Sequence, residues 1–110
     1  MERVLRVINE RLADPTLTVD SMTREVGLSR AHLYRKIKEM TNMSTNEFIR
    51  TIRLKKAAEM LTTAKYSIAE LSDAVGFTSQ TYFATAFKSM YGMTPSEYAK
   101  KASEKEPQEE

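Results

Sequence analysis

A chain of 110 residues with 41% hydrophobic side chains can form one domain with a modest core, or two very small domains that share a helix. It has no cysteine, which excludes disulfides and thiolate chemistry, and neither a signal-like apolar start nor a run of eighteen apolar residues. These features predict a soluble, cytoplasmic protein in which this segment makes no membrane contact.

The net charge of +2 conceals an uneven distribution along the chain. Residues 1–56 carry twelve Lys and Arg against seven Asp and Glu, whereas residues 57–110 carry five against eight. A basic first half in a chain of nearly neutral net charge is typical of proteins that bind a polyanion. An ordinary solvated surface can have the same numbers of charged residues.

The first predicted helix covers Glu2–Ala13, where Val4, Leu5, Ile8 and Leu12 share an apolar face. The Asp-Pro pair that follows ends it. We interpret this element as a helix that packs over a core.

A helix-turn-helix pattern follows the first helix. Thr18 caps a helix over Val19–Val26, Gly27 ends it in a left-handed turn, and Ser29 caps a second helix over Arg30–Met40. This is the arrangement of a helix-turn-helix, although many αα-hairpins share it.

A long linker helix is predicted over Thr45–Ala64, which contains neither Gly nor Pro and opens with the capping-box pair Ser44 and Glu47. At 1.5 Å per residue it would run about 30 Å. Three basic side chains lie along one side, for which solvation and contacts to a nucleic-acid backbone both remain open: Arg50, Arg53 and Lys56.

The second half of the chain repeats the first. Ser67 and Glu70 form a capping box for a helix that runs to Val75 before Gly76, and a further helix covers Gln80–Tyr91. Positions offset by 50 pair Ser29 with Ser79, Leu33 with Phe83, Ile37 with Phe87, Lys38 with Lys88, and Met40 with Met90. The turn of the second copy holds one extra residue, and the chain is an internal duplication.

A closing helix begins at Thr94-Pro95, with Glu97 completing a capping box and Tyr98 and Ala99 packing inward. The acidic tail has nothing to bury and is predicted to be disordered. The predicted divisions are 1–43 for the first helix and first helix-turn-helix unit, 44–64 for the linker, 65–102 for the second unit with the closing helix, and 103–110 for the tail.

The second helix of each unit has a core face and an opposite polar face. The predicted core residues are Leu33, Ile37 and Met40 in the first unit and Phe83, Phe87 and Met90 in the second. On the opposite faces, Arg35 can present two donors to guanine and Gln80 can pair with adenine in a DNA major groove.

The second unit carries a motif that resembles the AraC/XylS family of bacterial transcription regulators. Its elements are Ile68-Ala69, Val75-Gly76-Phe77, Tyr82-Phe83, Phe87-Lys88, Gly92, Thr94-Pro95 and Tyr98. The resemblance covers roughly Leu17–Lys101. It implies an all-α fold of about seven helices, in which a long linker helix joins two helix-turn-helix subdomains that bind double-stranded promoter or operator DNA.

Carried over by position, the resemblance implies base-reading roles for Ala31, Tyr34, Arg35, Gln80, Thr81 and Thr85. Thr85 stands where many relatives have an arginine, so weaker readout by the second unit is expected. The candidate phosphate contacts are Ser29, Arg30, Lys36, Lys38, Ser79 and Lys88.

The predicted function is sequence-specific binding of double-stranded DNA by two recognition helices, about 30–40 and 80–91. Successive major grooves on one face of a duplex are about 34 Å apart, a separation that the linker helix could span. The alternative is a helical protein-interaction module without specific DNA readout, whose binding would depend little on salt.

No catalytic, metal or cofactor site is predicted. The only histidine, His32, lies between Arg30 and Arg35, a poor setting for a general base, and the three glycines are too far apart for a phosphate loop. The linker region is also similar to that of regulators whose DNA-binding domain ends a hybrid two-component sensor protein. Sensor, kinase and receiver modules are therefore expected upstream if the chain is a fragment.

Overall fold

A computed structural model of the chain describes residues 2–63 and 65–105, with side chains as far as Ala102. The helices in this part are α1 Glu2–Glu10, α2 Val19–Val26, α3 Arg30–Thr41, α4 Thr45–Leu61, α5 Ile68–Ala74, α6 Gln80–Tyr91 and α7 Pro95–Lys105. Seven helices, with no strand among the described residues, confirm the predicted all-α class.

The chain divides into two compact units, Met1–Arg53 and Leu54–Glu110, so that the division falls inside α4. The core of the first unit comprises Val4, Val7, Ile8, Leu12, Leu17, Met22, Val26, Leu33, Ile37, Phe48 and Ile49. The core of the second comprises Leu54, Ala57, Ala58, Leu61, Leu71, Val75, Phe77, Phe83 and Phe87. The first turns of α4 thus serve one core and its last turns serve the other.

Side-chain caps define where the helices begin. The hydroxyls of Thr18, Ser29, Ser67 and Ser79 each accept a hydrogen bond from the amide three residues ahead, as the sequence predicted. Reciprocal capping boxes also open α4 and α7. Each cap satisfies backbone donors that the helix itself leaves unpaired.

The two helix-turn-helix turns end their first helices differently. Gly27, at φ 74°, donates from its amide to the carbonyl of Thr23 at 2.9 Å, a single-bond left-handed cap. In the second unit Gly76 has φ 93°, and the amide of Phe77 reaches the carbonyl of Ser72 at 3.0 Å, as in a Schellman motif. The extra residue of the second turn is accommodated here, so α3 and α6 still begin at matched serines.

The first helix is shorter than predicted, and its apolar face differs. It ends at Glu10 rather than Ala13, and Leu5, predicted to pack inward, is 37% exposed. Val7 is buried in its place, because it lies three residues from Val4 on the same helical face, whereas Leu5 is about 100° from Val4.

Two predicted core methionines are exposed. Met40 is 63% exposed and Met90 is 39% exposed, although each continues the apolar face of its helix. Both lie in the last turn, about 10 Å along the axis from Leu33 and Phe83 respectively. Periodicity identifies the face of a helix but not how far along it the packing partners extend.

Arg53 has a role that neither predicted alternative included. Its Nη2 donates to the backbone carbonyl of Asp14 at 2.8 Å, so the side chain holds the turn that follows α1 rather than only facing solvent. Burial lowers the pKa of the guanidinium, and the nearby Asp14 carboxylate opposes that shift.

The predicted ends of the other long segments differ in small ways. Helix α4 ends at Leu61, and Ala64, the predicted end, lies outside the described residues. The predicted disordered tail, 103–110, lies mostly outside them as well, although the backbone of α7 continues through Lys105.

Both recognition-type helices end in a left-handed residue. Asn42 ends α3 at φ 62° and Gly92 ends α6 at φ 79°, and each amide donates to the carbonyl four residues back at 2.8 Å. Asn42 is the one residue other than glycine with positive φ in the described chain. Asparagine tolerates this conformation better than other residues with a side chain, which explains how it replaces the glycine.

Replacing Asn42 with alanine should destabilise the first unit by about 1 kcal/mol. The left-handed conformation brings Cβ close to the backbone, and alanine lacks the polar side chain that makes this conformation tolerable for asparagine. Asn42→Gly should be at least as stable as the wild type. Urea unfolding measures both variants, and equal stability of the alanine and glycine variants would contradict a left-handed residue 42.

Replacing Phe87 with alanine should cost about 3–5 kcal/mol of unfolding free energy, because Phe87 is fully buried. Its ring centroid lies 4.6 Å from that of Tyr91, 5.4 Å from Tyr98 and 5.9 Å from Phe83. The matched control is Met90→Ala on the same helix, which should change stability by no more than about 0.5 kcal/mol. Similar losses for both variants in urea unfolding would refute this account of the core.

Candidate nucleic-acid interface

Helix α3 is held in one rotation about its axis by Leu33 and Ile37, which are fully buried. The predicted base-reading residues of the first unit, Ala31, Tyr34 and Arg35, are all exposed, and Tyr34 is 45% exposed. At 100° per residue, they fall about 60° to 160° from Ile37, on one side of the helix. Burial therefore leaves one coherent face of α3 open to a partner.

The candidate phosphate residues of α3 do not all share that face. Lys38 lies within it, whereas Lys36 is half-buried on the other flank, about 160° around the helix from Tyr34. Ser29 uses its hydroxyl oxygen to accept from the His32 amide at 3.1 Å, which leaves the hydroxyl hydrogen free to donate. The structure therefore brings Lys38 to the exposed face, leaves Ser29 exposed at the cap of the helix, and separates Lys36 from that face.

Arg30 is already paired within the protein. Its Nη1 donates to the Oδ1 atom of Asp20, and both side chains are well exposed. An exposed ion pair of this kind is worth about 0–1 kcal/mol, so a stronger anion can displace the carboxylate. Lys38 makes only a long contact, from its Nζ to the carbonyl of Asn42 at 3.4 Å.

Helix α6 of the second unit repeats the arrangement with weaker donors. Phe83 and Phe87 are fully buried and set its rotation. The predicted site residues Gln80, Thr81, Thr85, Lys88 and the cap Ser79 are all exposed. Lys88 is the only cation of α6, so this face offers hydroxyl and amide groups where α3 offers charge.

A cleft of about 340 Å³ adjoins the exposed face of α3 in the first unit. It is lined by Val19, Arg30, Ala31, Tyr34, Ser44, Thr45 and Asn46. Val19 begins α2, Arg30, Ala31 and Tyr34 lie in the first half of α3, and Ser44, Thr45 and Asn46 form the cap and first turn of α4. The sequence predicted each helix start but not their convergence, and it did not single out Thr45 or Asn46.

The capping box beside this cleft holds a carboxylate in its ionised form. Glu47 accepts from the Ser44 amide at 2.9 Å, and this bond, with that to the Ser44 hydroxyl, lowers the pKa of the Glu47 carboxyl. Glu97 is the matched group in the second unit, and its bonds to Thr94 lower its pKa in the same way.

Within the described chain, no group of three or more His, Cys, Asp or Glu side chains is arranged to hold a metal ion. His32 is exposed on α3. None of the described helices is both long and apolar enough to cross a bilayer.

Residues 22–101 match the family described as the helix-turn-helix domain. The chain is 38% identical over 104 residues to histidine kinase P4 of Formosa agariphila. The aligned region covers 94% of this chain and 8% of that protein. It is 34% identical over 100 residues to the Msm operon regulatory protein of Streptococcus mutans, covering 91% and 36% respectively. The chain thus spans only a small part of the length of these curated relatives.

Among solved structures, the fold matches the C-terminal domain of AraT, a response regulator from Geobacillus stearothermophilus. The TM-score is 0.83 and the identity 32%, covering 91% of this chain and 83% of that one. The match extends over both units, each with its own helix-turn-helix.

The first turn of α4 should lose stabilisation in acid, because the pKa of Glu47 lies below its ordinary value of 4.5. A depressed carboxyl pKa contributes stability that is complete above the ordinary value and is lost as the pH falls through the lower folded-state value. Carboxyl NMR titration should show Glu47 titrating below 4.5 in the wild type. Ser44→Ala should move it back toward 4.5 and leave Glu97 unchanged, whereas a wild-type value at or above 4.5 would contradict the capping box.

Proposed function

The chain belongs to the helix-turn-helix domain family of the AraC type, and from this premise we propose that it binds specific sequences in double-stranded DNA to regulate transcription. The observation that carries the proposal is the exposed side of α3, which presents Tyr34, Arg35 and Lys38, with Tyr34 also lining the cleft. A helix of this type enters the major groove, with side chains near its N-terminus contacting base edges.

Arg35 is the strongest base reader on this face. Its guanidinium can donate two parallel hydrogen bonds to the O6 and N7 atoms of guanine. Tyr34 donates to a phosphate or packs on a thymine methyl, and Ala31 offers apolar contact. Ser29, Arg30 and Lys38 contact the phosphates on either side and set the register of the helix on the duplex.

The second unit reads bases through Gln80, Thr81 and Thr85 and contacts phosphates through Ser79 and Lys88. Gln80 pairs with adenine, whereas the two threonines discriminate less because each has a single hydroxyl. We infer that the first unit supplies most of the electrostatic affinity and the second a weaker part of the sequence readout.

Placement of the two recognition helices in successive major grooves stays a prediction, together with the proposed divisions 1–43, 44–64, 65–102 and 103–110. Selection from random duplexes at about 150 mM salt, followed by sequencing, tests it. Enrichment of two short motifs about ten base pairs apart would support two-groove binding. One enriched motif would leave a single reading unit, and no enrichment would favour the alternative of an interaction module without specific readout.

The whole protein is proposed to be a regulator in which this domain follows signalling modules. The supporting relatives include a protein named as a histidine kinase and a solved domain from a response regulator. We propose that the domain acts in the bacterial cytoplasm, that it is not itself catalytic and that it needs no cofactor, because hydrogen bonds, charge and apolar contacts suffice for the face described above to bind DNA.

Arg35→Ala should cost about 1–3 kcal/mol of binding free energy on the selected sequence and relax the preference at one base position. The control is Arg6→Ala, which removes the same charge from an exposed position on α1. Fluorescence anisotropy on selected and random duplexes measures both variants. Equal losses for Arg35→Ala on the two duplexes would rule out a base-reading role.

Asp20→Asn should strengthen DNA binding several-fold and steepen its salt dependence, by up to about 0.9 in the slope of log K against log salt. The reason is that Arg30 loses its internal carboxylate partner and becomes available to a phosphate. Glu25→Gln is the matched control, because it breaks the exposed ion pair of Arg11 on another part of the unit. The same gain in both variants would mean that net charge alone is responsible.

A further inference from the structure

A second cleft, of about 350 Å³, lies beside α7 in the second unit. Its lining residues, none of which comes from α3 or α6, are Met93, Tyr98, Lys101 and Ala102. The ring of Tyr98 packs on Phe87 and on Tyr91, with both centroid distances 5.4 Å, so the second core holds this wall of the cleft. Three apolar side chains and one cation therefore surround the space, which we call the α7 cleft.

The matched residues of the first unit pack where the second unit has this cleft. Positions offset by 50 pair Met43 with Met93, Phe48 with Tyr98, Thr51 with Lys101, and Ile52 with Ala102. Met43 and Ile52 pack against the first core, and the Thr51 hydroxyl donates to the Met43 sulfur at 3.4 Å. Alanine is smaller than isoleucine, so the α7 cleft lies where the other copy of the unit has one branched apolar side chain. A side chain of that size from a partner fits the space.

Lys101 adds a positive charge at the edge of the α7 cleft. It is exposed, and it forms no ion pair with a described side chain. Glu97 lies one turn earlier on α7, but its carboxylate accepts from the Thr94 amide at 2.9 Å and is held at the start of the helix. The cleft is therefore complementary to an apolar side chain that has a carboxylate close beside it.

Helix α1 presents this combination on its exposed side. Buried Val4 and Ile8 fix the rotation of the helix, and Leu5 is left 37% exposed. Glu2 is exposed three residues before Leu5, which makes the two side chains neighbours on one face of the helix. Leucine has the same number of atoms as the isoleucine that packs at the matched place in the first unit.

The duplication shows that the fold does not require a leucine at position 5. The buried residues of α1 match buried residues in the last half of α4, also at an offset of 50: Val4 with Leu54, Val7 with Ala57 and Ile8 with Ala58. This half of α4 is therefore the counterpart of α1 in the second unit. At the position matched to Leu5 it has Lys55, which is exposed. Leu5 is thus an apolar side chain at a position where packing within the unit accepts a lysine.

We infer that α1 of one copy of the chain docks on the α7 cleft of a second copy, with Leu5 in the cleft and the Glu2 carboxylate beside the Lys101 ammonium group. The inference goes beyond the proposed function and needs no DNA. The contact is head-to-tail, because the two copies contribute different surfaces. One leucine and one ion pair bury much less than the roughly 1,200 Å² at which stable interfaces begin, so the association is weak and transient.

The first test mixes the ¹⁵N-labelled wild-type chain with an Ala13→Cys chain that carries a nitroxide. The wild-type chain has no cysteine, and Ala13 is exposed just beyond α1, so the nitroxide occupies one place near the docking helix. The amides of Met93, Lys101 and Ala102 should broaden as labelled chain is added and sharpen when the nitroxide is reduced. Unchanged amides around the cleft, or broadening at other residues only, would overturn the contact and leave the proposed function intact.

The second test changes the two charges and the leucine. Lys101→Glu in the ¹⁵N-labelled chain, or Glu2→Lys in the nitroxide chain, should remove most of the broadening, and mixing these two variants should restore it. Leu5→Lys in the nitroxide chain, which copies the matched residue of α4, should also remove it.

The control for the charge changes is Lys100→Glu, which makes the same change on the side of α7 away from Tyr98 and should leave the broadening as in the wild type. An equal loss in this control would mean that general charge attraction is responsible and would overturn the docking. Failure of the two charge variants to restore the broadening when mixed would overturn it as well.

Discussion

The burial of two side chains one helical turn apart decides what each recognition helix presents to a partner. Leu33 and Ile37 anchor α3, and Phe83 and Phe87 anchor α6, all four fully buried. A helix fixed at positions i and i+4 cannot rotate about its axis without exposing apolar surface. The polar positions between the anchors are therefore held in one direction, which is what a rigid major-groove reader requires.

The same frame carries different chemistry in the two halves of the chain. The first core is largely aliphatic and supports an exposed face with several cations, whereas the second core is built around the rings of Phe77, Phe83 and Phe87 and supports a face with one. A duplicated unit can diverge in this way because the anchors and caps suffice to form the helix. The solvent-facing positions are then free to differ, as they do here in the number of cations that each face carries.

The beginning of α4 in the first unit carries both a stabilising cap and part of the wall of the cleft. A cap satisfies some of the free amides of a helix and leaves others, and those that remain are donors already oriented along the axis. In α4 the Ser44 and Glu47 pair stabilises the first turn, and the neighbouring residues Thr45 and Asn46 line the cleft. The second unit keeps the stabilising pair of Thr94 and Glu97 but has Pro95 at the first helical position, so the same helix start forms without an amide hydrogen there.

The sequence by itself determined the helices, their class and most of their ends, because these depend on neighbours a few residues apart. Caps such as Ser29 and Ser79, the left-handed position of Gly27, and the anchor spacing are local signals. Only the tertiary structure decided the exposure of Leu5, Met40 and Met90, the bond from Arg53 to Asp14, and the cleft at Thr45. Each of these features depends on which residues distant in the sequence come into contact and on where along a helix its packing partner ends. Helical periodicity specifies neither of these.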